Sequence, residues 1–217
     1  MSHITLIRHG KANTAARDET SYDRLSDLGR QQSAWLGEHL RASGARHPRL
    51  YCGTLRRHRE TAAAMSMGPA PIEDARLNEL EYFTLARLLE DQHGLAVPTH
   101  REGFVAHLPK VFTAWRDGRI RNAPESFAGF EDRVLSALDD IARGEGPALV
   151  VTSGGLIAMT LRQSMGLDIP AMARVALAIM NTSVHRLHRI GPDLTPVLFN
   201  AVPHLEHPDR HFAQTHL

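Results

Sequence analysis

Short apolar runs alternate along the chain with longer stretches whose apolar residues recur at helical spacing. Residues 4–7 form the first run and end at Arg8-His9-Gly10, which predicts a strand opening into a loop. Ser26 is placed to cap a helix that buries Leu28, Leu36 and Leu40, with Trp35 beside them, and Ser43-Gly44 ends it. Leu50, Tyr51 and Cys52 read as a second strand closed by Gly53, and a helix over about residues 55–67 stops at Gly68-Pro69. Between residues 80 and 124 the pattern changes: one helix carries Phe104, Leu108, Val111 and Trp115 on one face, flanked by polar, Gly- and Pro-containing stretches. Ser126 opens a further helix with Phe127, Phe130, Val134, Leu138 and Ile141 on its apolar face. Residues 148–152 are the most strand-like segment, and Gly154-Gly155 opens a helix to Met165. Residues 175–181, 184–188 and 196–201 are read as closing strands. Strands alternating with amphipathic helices predict an α/β fold with a mostly parallel sheet. Ligands of such sheets bind at the carboxyl ends of strands. The loops at residues 8–10, 53–57 and 153–155 should therefore converge.

Composition narrows the function class. The chain has 217 residues, 42% hydrophobic and 23% charged, with a formal net charge of +1. That suits one globular domain and leaves no field for capturing nucleic acid or an anionic membrane, so neither is expected as a partner. A single cysteine, Cys52, excludes an internal disulfide framework or a Cys-rich zinc site, and reads as a small buried residue in a reducing compartment. The first residues carry no apolar signal segment, and the longest apolar runs, 148–151 and 175–180, are too short to span a bilayer. A cytoplasmic location is expected. Four of the 14 histidines (His204, His207, His211, His216) sit in the tail, at spacings that do not make a compact metal site. From residue 41 to 59 there are six arginines and no acid, so one or two of them are candidates to line an anion site.

The chemistry concentrates at the predicted strand ends. Arg8-His9 places a guanidinium beside an imidazole; neutral imidazole is nucleophilic, and arginine forks neutralise phosphoryl oxygens bidentately. Arg57 lies near a helix N-terminus, where N–H groups favour an anion. Glu79, in Leu77-Asn78-Glu79 after a further predicted strand end, is a carboxylic acid that could protonate a leaving oxygen.

Six stretches together raise these weak signals to a family pattern. Leu6-Ile7-Arg8-His9-Gly10 resembles the signature of the histidine phosphatase superfamily, also called phosphoglycerate mutase-like. Leu25-Ser26-Asp27-Leu28-Gly29-Arg30-Gln31-Gln32 is similar to its L-[ST]-x-x-G-x-x-Q helix start. Leu55-Arg56-Arg57-His58-Arg59-Glu60-Thr61-Ala62 resembles its L-x-R-A-x-Q-T-A, and Leu77-Asn78-Glu79 its L-x-E. Residues 150–157 are similar to V-V-S-H-G-G-x-I, and residues 200–205 to N-x-x-x-H-L. The resemblance implies a single domain over 1–217, a three-layer sandwich whose mostly parallel sheet is flanked by helices, with a helical lid insertion at about 80–124. It implies His9 as the nucleophile forming a phosphohistidine and Arg8 and Arg57 as the phosphoryl clamp. Glu79 would be general acid, then base for water. Ser153, Gly154 and Asn13 join the phosphate-binding set, and Lys11 is a further candidate. No metal or organic cofactor is implied.

Ser153 stands where the family usually has a second histidine on the transferring phosphoryl group, and His58 where it has a small residue. His58 or His204 are candidates to fill the gap, although His58 reads more simply as a solvent-facing helix residue and His204 as an anchor of the C-terminal segment. Phe83, Phe104 and Trp115 read as lid or core packing. The expected activity is that of a histidine acid phosphatase-type phosphomonoester hydrolase acting on a small phosphorylated metabolite, slowed by the lost histidine. A phosphate-binding pseudoenzyme with a regulatory role is the first alternative. A phosphoglycerate mutase is the second, disfavoured because Lys11-Ala12-Asn13 departs from the mutase continuation R-H-G-E-S/T.

Overall fold

The computed structural model describes residues 3–44, 46–68 and 70–216. Its elements are β1 (His3–Arg8), α1 (Glu19–Tyr22), α2 (Asp27–Ala42), β2 (Arg49–Cys52), α3 (Arg56–Met65), β3 (Ile72–Glu73), α4 (Tyr82–His93), α5 (Arg101–Arg116), α6 (Phe127–Arg143), β4 (Ala148–Thr152), α7 (Gly154–Met165), α8 (Ile169–Ala178), β5 (Val184–Ile190) and β6 (Asp193–Ala201). Short 3-10 turns cover Ala75–Leu77, Pro203–Leu205 and Pro208–Ala213. Met1, Ser2 and Pro69, the last read as part of a helix stop, lie outside the described residues.

The strands form a six-stranded sheet in the order β3-β2-β4-β1-β5-β6. Strands β1, β2, β3 and β4 are parallel; β5 and β6 join antiparallel at one side. Strand β4 lies between β1 and β2 and is buried along its whole length, as a doubly covered parallel strand must be. The period of two then sorts its side chains: Leu149 and Val151 pack with Leu36, Leu40 and Met65 of α2 and α3, whereas Ala148 and Val150 pack with α6, α7 and α8. Two helical layers thus sandwich the sheet, and α4 and α5 extend the second layer past the carboxyl ends of the parallel strands. Among the described residues, no helix is long and apolar enough to cross a membrane.

Ser26 caps α2 and Ser126 caps α6, each accepting the backbone N–H three residues on, as the pattern predicts. The run 175–181 is not a strand. Its first half is the end of α8, whose buried residues Ile169, Met172, Ala173 and Leu177 follow helical spacing. Asp168 accepts from the Ala171 N–H, and proline in the first turn fits that start. A short apolar run does not by itself separate strand from buried helix, and here the cap decides. Helix α4 had no strong periodic signal, and Glu79 follows a 3-10 turn rather than a strand end, since β3 stops at Glu73.

Candidate active site

The three loops converge. Beyond Arg8 at the end of β1 lie His9 and a cavity of about 650 Å³ lined also by Arg57, Glu79, Gly154 and Gly155.

His9 is 2% exposed and lines this cavity. Its Nδ1 lies 2.8 Å from the Gly10 carbonyl oxygen. A carbonyl only accepts, so Nδ1 carries the proton and Nε2 keeps its lone pair. Burial first, then the charges of Arg57 and Arg8, hold the imidazole pKa well below its usual range, so the ring stays neutral.

Arg8 is fixed from the far end of the chain. Its Nη1 donates to the carbonyls of Ile179 and, at 2.7 Å, of His216. The C-terminal segment that brings His216 there is tied down by Gln32, whose Nε2 donates to the Ala213 carbonyl at 2.6 Å, and by Asn181, whose N–H reaches the Thr215 carbonyl at 2.7 Å. Arg57 is 3% exposed and pairs through Nη1 with Asp23 at 3.0 Å. Asp23 also accepts the backbone N–H groups of Arg56 and Arg57, so one carboxylate caps α3 and aims its arginine. The Arg57 guanidinium lies 5.1 Å over the Tyr22 ring. The Nε atoms of both arginines are buried without a partner.

Glu79 accepts from the Gly155 N–H at 2.9 Å and the Leu80 N–H at 3.0 Å, which fixes its carboxylate at the start of α7. A Cβ on Gly155 would come within 2.3 Å of Glu79 Oε1, so this approach needs glycine.

Ser153 does not line the cavity. It is fully buried just behind Gly154, with Oγ 2.6 Å from His58 Nε2 and 3.5 Å from Arg57 Nη2. His58 is not solvent-facing as expected; it is fully buried, because α3 turns this side inward against Gly53 and β4. Asn13 does not join the site: its amide donates to the Ser21 carbonyl at 3.0 Å and steadies the loop before α1. His204 bonds Thr182 Oγ1 at 2.8 Å, which fits its reading as an anchor. Of the clustered arginines, only Arg57 lines the cavity; Arg49 instead holds the carbonyls of Ile141, Gly144 and Gly146, and Arg59 pairs with Glu73.

Away from Arg8 and Arg57 the lining is mixed: Thr14, Arg17 and Glu19 before or at the start of α1 and Thr99 and His100 before α5 are polar, whereas the side formed by α4 and α5 is apolar. Phe83 and Tyr82 start α4, and Phe104, Leu108 and Phe112 come from α5. Rings form a ladder outward from His9: Tyr22 at 6.2 Å, Phe83 5.8 Å further, Tyr82 at 5.7 Å and Phe104 at 5.0 Å. Tyr82 turns its hydroxyl away to His107, so it offers the cavity its ring. Trp115, by contrast, packs in the core on Phe127 and Phe130. Glu19 binds the cover to the floor, accepting the Phe83 N–H at 2.8 Å; burial raises its pKa. Sequence reasoning missed Asp23, Tyr22 and Glu19, which carry no motif of their own. Among the described residues there is no cluster of three or more His, Cys, Asp or Glu able to hold a metal ion.

The model of the histidine phosphatase superfamily (branch 1) matches residues 4–201, and the chain belongs to that superfamily. It is similar to the "Probable phosphoglycerate mutase GpmB" of Klebsiella pneumoniae, 32% identical over 195 residues that cover 86% of this chain and 85% of that one. It is also similar to a metal-independent phosphoserine phosphatase of Arabidopsis thaliana, 29% identical over 198 residues covering 87% and 76%. Among solved structures, a phosphoserine phosphatase of Entamoeba histolytica in complex with phosphoserine superposes with a TM-score of 0.71 at 15% identity, covering 94% of this chain and all of that one.

Proposed function

We propose that the chain is a phosphomonoesterase that hydrolyses a small phosphorylated metabolite through a phosphohistidine on His9. The observation that carries this is the His9 ring: neutral, its Nδ1 proton held by Gly10, and its cavity-lining side set between two guanidiniums. Nε2 attacks phosphorus while the P–O bond to the alcohol breaks, and Glu79 gives the departing oxygen its proton. Arg8 and Arg57 neutralise the phosphoryl oxygens as charge shifts onto them. Water then attacks the phosphohistidine, the N–P electron pair returns to Nε2, and Glu79 takes the water proton. Ester and water become alcohol and phosphate, with the enzyme restored.

The cover, residues 80–124, acts as a lid that limits substrates to small molecules. Its aromatic ladder favours an apolar or aromatic alcohol over one carrying a carboxylate. This is why hydrolysis is preferred to the mutase reading, whose substrates are phosphorylated acids. The test is turnover of p-nitrophenyl phosphate together with trapping of an acid-labile phosphoenzyme. Wild type should give both and His9→Ala neither; turnover retained in His9→Ala ends this reading.

A further inference from the structure

We infer that Ser153 and His58 act as one unit in place of a single histidine, with the Ser153 hydroxyl donating to a phosphoryl oxygen and His58 positioning it. The inference rests on the phosphatase reading above and goes beyond it.

A serine at a helix N-cap normally spends its side chain on its own helix, accepting from an N–H of the first turn. Ser153 is the N-cap of α7 and makes no such bond. The free Gly155 N–H is taken by Glu79 instead. The hydroxyl is drawn the other way, to His58 Nε2 at 2.6 Å and Arg57 Nη2 at 3.5 Å.

The proton positions follow from what surrounds the imidazole. His58 Nδ1 is buried with no hydrogen-bond partner and lies against Gly53, where an added Cβ would come within 2.2 Å of it. Buried N–H groups are left orphaned in folded proteins more rarely than acceptors are left under-satisfied, which favours the lone pair in that place. The proton therefore sits on Nε2, which donates to Ser153 Oγ. The guanidinium has only donors, so it too donates to that oxygen. Ser153 Oγ then accepts from both neighbours, and its own O–H is left for an acceptor. Ser153 immediately precedes Gly154, which lines the cavity beside Arg8, His9 and Arg57. A phosphoryl oxygen seated among those groups is the proposed acceptor, reached when the hydroxyl, fully covered in the structure, turns out past Gly154.

The His58 ring centroid is also 5.8 Å from that of His9, so an imidazole is present behind the site although it reaches the phosphoryl group only through the hydroxyl. Burial and the Arg57 charge hold His58 neutral, which suits a fixed donor better than a proton carrier.

The test is a set of variants on the full chain: Ser153→Ala, His58→Ala, the double alanine variant, His58→Gln, Ser153→His, and Ser153→His combined with His58→Ala. Each is assayed on p-nitrophenyl phosphate, with thermal unfolding and inhibition by orthovanadate and by inorganic phosphate measured alongside. Loss of a donor aimed at transition-state charge lowers kcat by about 10²-fold. Each alanine change should do this, and the double variant should be no worse than either, because the pair acts as a unit. Vanadate inhibition should weaken more than phosphate inhibition, a split that mere loss of packing would not give. His58→Gln, whose amide can still donate, should retain more activity than His58→Ala. Ser153→His alone should be as poor as the alanine variants, since its ring meets His58 in a fully buried space. Removing His58 in the same chain should restore kcat to within about tenfold of wild type, as the freed volume admits the new ring. The inference is overturned by wild-type kcat in His58→Ala, by multiplying losses in the double alanine variant, or by a combined exchange no better than Ser153→His. A wild type that forms no phosphoenzyme overturns the phosphatase reading and this inference with it; a wild type that does, with a failed exchange, overturns this inference alone.

Discussion

The two ends of the cavity are built on different principles. The floor, at the carboxyl ends of β1 and β4 and the start of α3, is an assembly of buried and half-buried polar groups, each held by a partner: His9 by Gly10, Arg57 by Asp23, Glu79 by two backbone N–H groups. The cover, from α4 and α5, meets the cavity with rings and aliphatic side chains. Polar groups in a low-dielectric site must be satisfied in fixed directions, so a small displacement there is expensive. Apolar contact tolerates exchange of shape, provided volume is kept. On the proposed function, chemistry resides in the floor and selectivity in the cover. Substitutions at the two ends should therefore differ in size and in kind.

The sharpest contrast lies within α3. Arg57→Ala should lower kcat/KM by about 10²-fold or more, since it removes a charge-assisted contact that strengthens in the transition state. Arg8→Ala should do the same. Arg59→Ala, two residues along the same helix, pairs only with Glu73 at the surface and should change activity by less than about twofold. Comparable losses at Arg57 and Arg59 would erase the distinction between floor and surface on which the comparison rests.

That contrast also shows what the sequence could and could not disclose. His9, Arg8 and Arg57 were legible because each sits at a fixed offset from an apolar strand or helix start, and the fold brings such ends together; Glu79, which follows a 3-10 turn, was legible only through its resemblance to L-x-E. Asp23 and Gln32 were not, since their roles arise from backbone N–H groups and carbonyls supplied by distant segments. The burial of His58 was illegible for a related reason: its helix carries Arg56, Arg59 and Glu60 on other sides, and a polar local sequence masks one buried polar position. Most strands could be read from their apolar runs, but not the stretch 175–181, where alanines and a valine serve a helix as well as a strand. In the cover, α5 could be read from its spaced apolar residues, and α4 could not.

A milder test separates the ends by pH. The floor and the adjoining β5 and C-terminal segment bury neutral histidines; burial lowers His185 and His204 from 6.5 to about 3. An unfolded histidine takes its proton near its ordinary value, while these accept theirs only far lower. The unfolded state therefore binds more protons as the solution is acidified, and stability, fully present above about pH 6.5, should fall as pH drops from there toward 3. Urea midpoints measured at a series of pH values should show this decline, and His204→Gln should lessen it. His9, also held neutral by burial and by Arg57, should keep phosphoenzyme formation alive at about pH 5.5, below the ordinary histidine range. A stability that is flat between about pH 7.5 and 4.5 would mean that the buried rings are hydrated or paired in solution.

The smallest expected effect is the most informative about the cover. Phe104 is half-buried on α5 and stacks edge-on against Tyr82 at 5.0 Å, at the outer end of the ring ladder. It is the fourth ring out from His9 along that ladder. An aromatic pairing contributes about 0.5–1.5 kcal/mol beyond area, or roughly 2- to 13-fold in a binding constant. Phe104→Ala should thus raise KM for an aryl or naphthyl phosphate by about three- to tenfold and leave kcat near wild type, because a leaving group bound by rings in both ground and transition states loses uniform binding. Phosphoserine carries no ring to stack on Phe104, so its kcat/KM should change by less than about twofold. If both substrates lose equally, the cover closes the site without choosing what enters. If kcat falls on both, α5 shapes the floor after all, and the division between the two ends is wrong.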